Sequence, residues 1–237
     1  MRIIIRAIYR ITLKPLYKGL KIIKSWFIIV YRLIIYHLLK GCKSDKYEIK
    51  IGYVTRKENI HFNDSGNKDE HQDEVYRRIK KLFIEKQLKS IIDIGCGSGY
   101  KLIKYFNEYD TIGLELPPAL EYLKKKYPDK TWIYSDFNFL PAKTYDMIIS
   151  IDVIEHLKNP DDLLNYIKTL KPKYVALCTP DRDKLVYQSR LGPSVNIAHL
   201  REWSKHEFDN YIRKHFEIIE SEVLDNQDHY IIATLKN

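Results

Sequence analysis

Ile91-Ile92-Asp93-Ile94-Gly95-Cys96-Gly97-Ser98-Gly99 runs from branched apolar residues into three glycines at alternate positions. The first part reads as a buried strand. The glycines permit a tight turn and leave no Cβ between the backbone and a ligand. Tyr100 to Phe106 then carries a helical pattern, which aims the first N–H groups of that helix at the turn. The spacing is G-x-G-x-G, because position 100 is Tyr. A dinucleotide fingerprint, G-x-G-x-x-G, needs glycine there. The turn therefore favours a smaller nucleoside over NAD.

Strands and helices alternate on from this turn. Apolar runs predict strands at 91–94, 111–116, 131–135, 146–152 and 174–179. Helical spacing marks Glu74–Leu88 ahead of the first strand and predicts helices at 99–107, 118–127, 161–169 and 203–215. Such alternation implies a parallel sheet with right-handed crossovers. The end differs, since Glu217–Leu224 and His229–Leu235 are joined by only four residues, which makes an antiparallel hairpin. The expected fold is α/β: a doubly wound, mostly parallel seven-stranded sheet ending in that hairpin.

At this point Asp93-Ile94-Gly95-Cys96-Gly97-Ser98-Gly99 resembles motif I of the class I S-adenosylmethionine-dependent methyltransferases, and the layout over residues 70–237 resembles theirs. Ligands of open α/β sheets sit outside the carboxyl ends of the strands, so each strand exit is a candidate position. The resemblance implies cofactor contacts from Asp93, Gly95, Cys96, Gly97 and Gly99. At the second exit it implies that Glu115 accepts hydrogen bonds from the ribose hydroxyls, with Leu116 beside it. At the third exit, Ser135-Asp136-Phe137 is similar to the adenine-binding segment, which gives Asp136 the exocyclic amine and Phe137 the ring. Ile151 closes the set. Asp152-Val153-Ile154-Glu155-His156-Leu157 closely resembles the corresponding segment of enzymes akin to those of ubiquinone biosynthesis, and Thr179-Pro180 resembles their strand-ending turn. Bland alternatives stand beside these readings: Glu115 as a helix cap, Asp136 as a turn residue.

Methyl transfer mainly requires alignment of a nucleophile with an already activated methyl, and a hydroxyl acceptor also needs a base. By pKa class His156 comes first and His199 second. In some relatives an acid and a histidine of the DVIEHL segment hold a divalent cation, which makes Asp152, Glu155 and His156 the metal candidates here. The acceptor pocket is expected from His61-Phe62-Asn63 with Gln72 and from the insertion Asp181–Glu202, with Tyr187, Arg190, Asn196, His199, Arg201 and Trp203 as its chemistry. The phrase His199-Leu200-Arg201-Glu202-Trp203 resembles a segment of methyltransferases found alongside cell-surface glycan enzymes. Arginines beside Tyr and Trp would suit a phosphate- or sugar-bearing acceptor.

The net charge of +9 is concentrated at one end. Residues 1–43 hold ten Lys/Arg and no acid, whereas the remaining 30 basic residues are matched by 31 acidic ones. Nucleic acid is therefore not the expected partner of the body. On a helical wheel the basic residues of the first forty occupy one half, and Ile5, Ile8, Leu16, Ile23, Trp26, Phe27 and Val30 lie in the other. That is the pattern of a helix lying in a membrane interface. Pro15 divides the segment in two. Its apolar run Trp26–Leu39 covers about 21 Å as helix, short of a hydrocarbon core of about 30 Å, and contains Arg32. Helices packed on the body and an organelle transit peptide are the competing readings. Three scattered cysteines, Cys42, Cys96 and Cys178, form no disulfide framework or zinc spacing.

The sequence therefore predicts three parts: a basic amphipathic segment at 1–43, a connector at 44–69 carrying one short strand at Tyr47–Val54, and a catalytic domain at 70–237. The expected activity is S-adenosylmethionine-dependent O-methylation of a lipid-linked glycan intermediate or a prenylated quinone precursor, at the cytoplasmic face of an anionic membrane. A protein-methylating enzyme with the same anchor is a variant of this reading. A non-catalytic membrane adaptor that keeps the nucleotide-binding fold is the competing class.

Overall fold

The structure is a computed structural model that describes residues 45–58, 63, 72–185 and 191–236. The expected amphipathic segment at 1–43 lies outside the described residues, as do His61, Phe62, Tyr187 and Arg190. The chain runs α1 (Asp73–Glu85), β1 (Ser90–Ile94), α2 (Tyr100–Phe106), β2 (Asp110–Glu115), α3 (Ala119–Lys126) and β3 (Thr131–Tyr134). It continues through β4 (Met147–Ile151), a 3-10 turn (Ile154–His156), α4 (Pro160–Leu170) and β5 (Tyr174–Pro180), then α5 (Lys205–His215), β6 (Phe216–Val223) and β7 (Asp228–Leu235).

The seven strands form one sheet in the order β3-β2-β1-β4-β5-β7-β6. The first five are parallel, and β7 inserts antiparallel between β5 and β6. β1 and β4, at the centre of the sheet, are buried at every position because both faces are covered. Successive residues go to opposite faces: Ile92 and Ile148 join the core under α4 and α5, while Ile91, Met147 and Ile149 join the core under α1, α2 and α3. The order reverses between β1 and β4, which opens a crevice at their carboxyl ends.

Local signals set the helix ends. Pro160 begins α4 at its first turn. Ser204 and Glu207 form a reciprocal capping box, so α5 starts at Lys205 rather than at the expected Trp203. Gly99 precedes α2 at φ 68°, and a Cβ there would lie 2.5 Å from Leu123 Cδ2 and 2.8 Å from the Trp132 ring. Gly99→Ala is expected to cost roughly 2–4 kcal/mol from the left-handed backbone and the clash together. A urea unfolding midpoint equal to that of the parent would refute this.

One expectation fails. No strand forms over Tyr47–Val54; the segment is mostly turn, with a lone bridge residue at Lys50. Its residues are spent on docking instead. Tyr47 and Ile49 are buried in the core beside Trp203, and the Trp203 indole N–H donates to the Tyr47 carbonyl at 2.9 Å. Val54 N–H donates to the Leu191 carbonyl at 2.9 Å.

Candidate active site

At the carboxyl ends of β1, β2 and β4 lies a cavity of about 310 Å³. Gly95, Cys96, Gly97, Glu115, Leu116, Asp136, Phe137, Ile151, Asp152 and His156 all line it. The turn after β1 is held by Gly95 N–H on the Leu114 carbonyl and by Gly99 N–H on the Cys96 carbonyl, both at 2.9 Å. Gly95 sits at φ 74° with Val153 so near that a Cβ would fall 2.5 Å from its methyl. The cradle is thus built for bare backbone at that point.

Glu115 ends β2 with its carboxylate turned back over the turn. Oε1 accepts from Gly97 N–H at 3.1 Å and Oε2 from Leu116 N–H at 2.5 Å. A carboxylate pinned in this way braces the glycine turn and lines the cavity with the same two oxygens. At the third exit, Ser135 Oγ accepts from Phe137 N–H at 3.1 Å and holds Phe137 at φ 75°. The Phe137 ring then lines the cavity and packs on Tyr166 at 5.7 Å between centroids.

Asp93 and Gly99 are not in the cavity wall. Gly99 starts α2 behind it, and Asp93 is buried with Oδ2 accepting from Tyr76 OH at 2.9 Å. Burial pushes the Asp93 carboxyl up to about 7, against the pull of the Tyr76 hydroxyl and Lys101. Between roughly pH 4 and pH 7 the unfolded chain therefore binds fewer protons than the folded one, and stability falls as pH rises through that window. Asp93→Asn removes this slope. Its urea midpoint should gain on the parent's steadily from the lower to the upper pH; a constant difference would refute the assignment.

The fourth exit gathers the remaining chemistry. Asp152, at φ 54°, accepts from the Gln72 amide at 2.5 Å. His156 Nδ1 donates to the Ala198 carbonyl at 2.8 Å, which selects the tautomer whose neutral form has Nε2 as the acceptor nitrogen. His199 packs edge-on to His156 with ring centroids 4.8 Å apart. Its Nδ1 lies 2.9 Å from Glu202 and donates to it, while Nε2 accepts from the Asn196 amide at 2.9 Å. Ala198 N–H donates to Asn196 Oδ1, which fixes that amide's orientation and hence the tautomer of His199. Glu155 is fully buried, and neither of its carboxylate oxygens has a hydrogen-bond partner among the described residues. Burial, helped by Asp152 and opposed by His199, raises its carboxyl to about 8.

Donor atoms of Glu155, His156 and His199 lie within 4.8 Å of one another, so these three could hold a cation. Asp152 groups instead with Cys178 and Asp228. Sequence reasoning had grouped Asp152 with Glu155 and His156, but the αL turn at Asp152 directs it toward Gln72. A second cavity of about 280 Å³ shares Asp152 with the first and is lined also by Glu155, Val195, Asn196, His199 and Glu202. Asn196 and His199, expected to contribute to the acceptor pocket, both line it. Two residues expected there are elsewhere. Trp203 is fully buried and stacked on Tyr211, and Arg201 donates to the Leu157 and Lys158 carbonyls. Both anchor the insertion, because a long amphipathic side chain beside a core is worth more as packing. Glu202, Tyr76 and Lys101 went unnoticed in the sequence. For Glu202 the one available sign was its position three residues after His199.

The methyltransferase domain family model matches residues 69–226. Over 122 residues the chain is 30% identical to a ubiquinone biosynthesis O-methyltransferase of Rickettsia bellii, covering 48% of this chain and 51% of that protein. The corresponding Rickettsia akari protein is 28% identical over 148 residues, 59% of this chain and 51% of its own. The chain thus spans about half the length of these curated relatives. Among solved structures, a SAM-dependent methyltransferase from Aquifex aeolicus superposes with a TM-score of 0.57 at 19% identity, covering 74% of this chain and 100% of that one. The N-methyltransferase NodS from Bradyrhizobium japonicum, in complex with S-adenosyl-L-homocysteine, gives 0.56 at 11% identity over 72% of this chain and 90% of its own. A glycine turn braced by the acid of the next strand, in a sheet of this order, defines a nucleoside-binding α/β enzyme. The chain belongs to the class I S-adenosylmethionine-dependent methyltransferases.

Proposed function

We propose that this enzyme O-methylates a lipid-linked acceptor, a glycan intermediate or a prenylated quinone precursor, at the cytoplasmic face of an anionic membrane. The observation that carries this is the histidine pair at the join of the two cavities, and the basic, acid-free sequence of residues 1–43 supports the membrane part of the reading. The likeness to ubiquinone biosynthesis O-methyltransferases supports the choice of oxygen and of a lipid-linked acceptor. Among the described residues no helix is long and apolar enough to cross a membrane.

When bound, S-adenosylmethionine supplies a methyl group already activated by its sulfonium. The protein's part is to hold and orient. Glu115 and the turn fix the ribose, Asp136 and Phe137 the base. His156 Nε2, free of a proton in the tautomer set by Ala198, takes the proton of the acceptor hydroxyl. Were a divalent cation to take part instead, Glu155, His156 and His199 would hold it, with His156 Nε2 a ligand rather than the base, and the ion would orient and acidify that hydroxyl. The two unpartnered oxygens of Glu155 fit that use.

The test is transfer of labelled methyl from S-adenosylmethionine by the full chain in the presence of cell membranes, with and without a chelator. The expected label partitions into the organic phase as an ether. Label confined to protein or to water-soluble products would overturn the acceptor class, and indifference to the chelator would remove the cation.

A further inference from the structure

Four aliphatic side chains stay exposed on the acceptor side of the molecule: Ile51 at 49%, Val54 at 41%, Val195 at 54% and Ile197 at 53%. They belong to two segments that are laced together. Val54 N–H donates to Leu191, Arg56 N–H to Leu200, and the Arg56 guanidinium to the Ser194 carbonyl at 2.7 Å. In the second segment Pro193 and the run Val195–Ile197 are exposed while Ser194 and Ala198 are buried. Ser194 is held inward by its bond to Glu202, so the same geometry that builds the chamber turns the aliphatic side chains out. Val195 both lines the acceptor chamber and is exposed, which puts it at the mouth.

The sequence that precedes this edge bears on what covers it. Six residues before Ile51 the described chain begins at Asp45, and the 43 residues at the start of the sequence carry ten positive charges without an acid. The described part of that connector is pinned to the body through Tyr47, with Lys214 donating to the Lys46 carbonyl, and reaches Ile51 six residues after it begins. A basic amphipathic segment and an adjoining aliphatic edge are complementary to one surface: anionic headgroups over acyl chains. We propose that the Ile51–Val54 and Val195–Ile197 edge rests on an anionic bilayer, so that the acceptor chamber opens toward lipid. The proposal rests on the membrane-anchored reading above and adds which face of the body meets the bilayer.

The experiment uses the full chain with Cys42→Ser, which leaves the buried Cys96 and Cys178, and one environment-sensitive fluorophore placed by Ile197→Cys, Val54→Cys or Ile219→Cys. Ile219 is as exposed as Ile197 but lies on β6, the edge strand of the sheet. Each protein is mixed with vesicles of phosphatidylglycerol and phosphatidylcholine that carry nitroxide-labelled lipid, and co-sedimentation is read in parallel. The expected result is a blue shift and quenching at positions 197 and 54, and neither at 219. Sedimentation with equal signals at 197 and 219 would keep the anchor and overturn the docking face. Failure to sediment would overturn both. Titration of each labelled protein with S-adenosylmethionine shows whether the body is folded and competent throughout.

Discussion

Glu115→Ala should weaken S-adenosylmethionine binding by about 10²–10³-fold, a loss of roughly 3–4 kcal/mol. Two effects combine. The variant loses the acceptor oxygens that we propose meet the ribose, and charge-assisted hydrogen bonds of that kind carry about 1.5–3 kcal/mol each. It also releases Gly97 N–H and Leu116 N–H, which Glu115 ties down, so the turn that receives the rest of the cofactor loosens. Calorimetric titration of the full chain with S-adenosylmethionine and S-adenosylhomocysteine is the direct check. Glu115→Gln retains an acceptor oxygen and the shape of the side chain, so it should fall between the two. If alanine leaves the affinity unchanged, Glu115 serves the turn alone and the ribose is held elsewhere.

Arg182→Met is expected to destabilise the fold by about 3–5 kcal/mol, the usual cost of breaking a fully buried ion pair. Arg182 has no exposed surface. It donates through Nη2 to Glu207 at 2.7 Å and through Nη1 to the Glu202 carbonyl at 3.0 Å. Glu207 in turn caps α5 and accepts from Lys50 N–H. One guanidinium therefore ties the start of the insertion, its end, the last helix and the docked connector together. The double variant Arg182→Met/Glu207→Gln removes the orphaned charge and should recover part of the loss. Urea unfolding of the three proteins measures this. A single variant as stable as the parent would show that solvent reaches Glu207 and replaces its partner.

Much of the site was legible because it rests on short-range pattern. The strand-turn stretch Ile91–Gly99 needs only its own residue types to make a β-strand and a Cβ-free turn, and Glu115 is placed by the strand it ends. Asp136, Phe137, Ile151 and His156 sit at strand exits in the same way, and all four reach the cavity wall. Where the outcome depended on what a side chain meets across the fold, sequence reasoning went astray. Arg201 and Trp203 carry the chemistry of a binding loop but are consumed by backbone carbonyls and by the Tyr211 ring. Tyr47–Val54 has the composition of a strand, yet burial of Tyr47 and Ile49 against the core decides its shape.

The sequence by itself determined the α/β alternation, the closing hairpin, the cofactor turn and the acid that braces it, because periodicity, glycine spacing and strand exits are local properties. Only the tertiary structure decided that β7 lies inside β6, that Asp93 stands behind the cavity wall with a raised pKa, and that His199 rather than Asp152 joins Glu155 and His156. Each of these follows from burial and from partners distant in the chain, and such contacts exist only after the sheet has assembled.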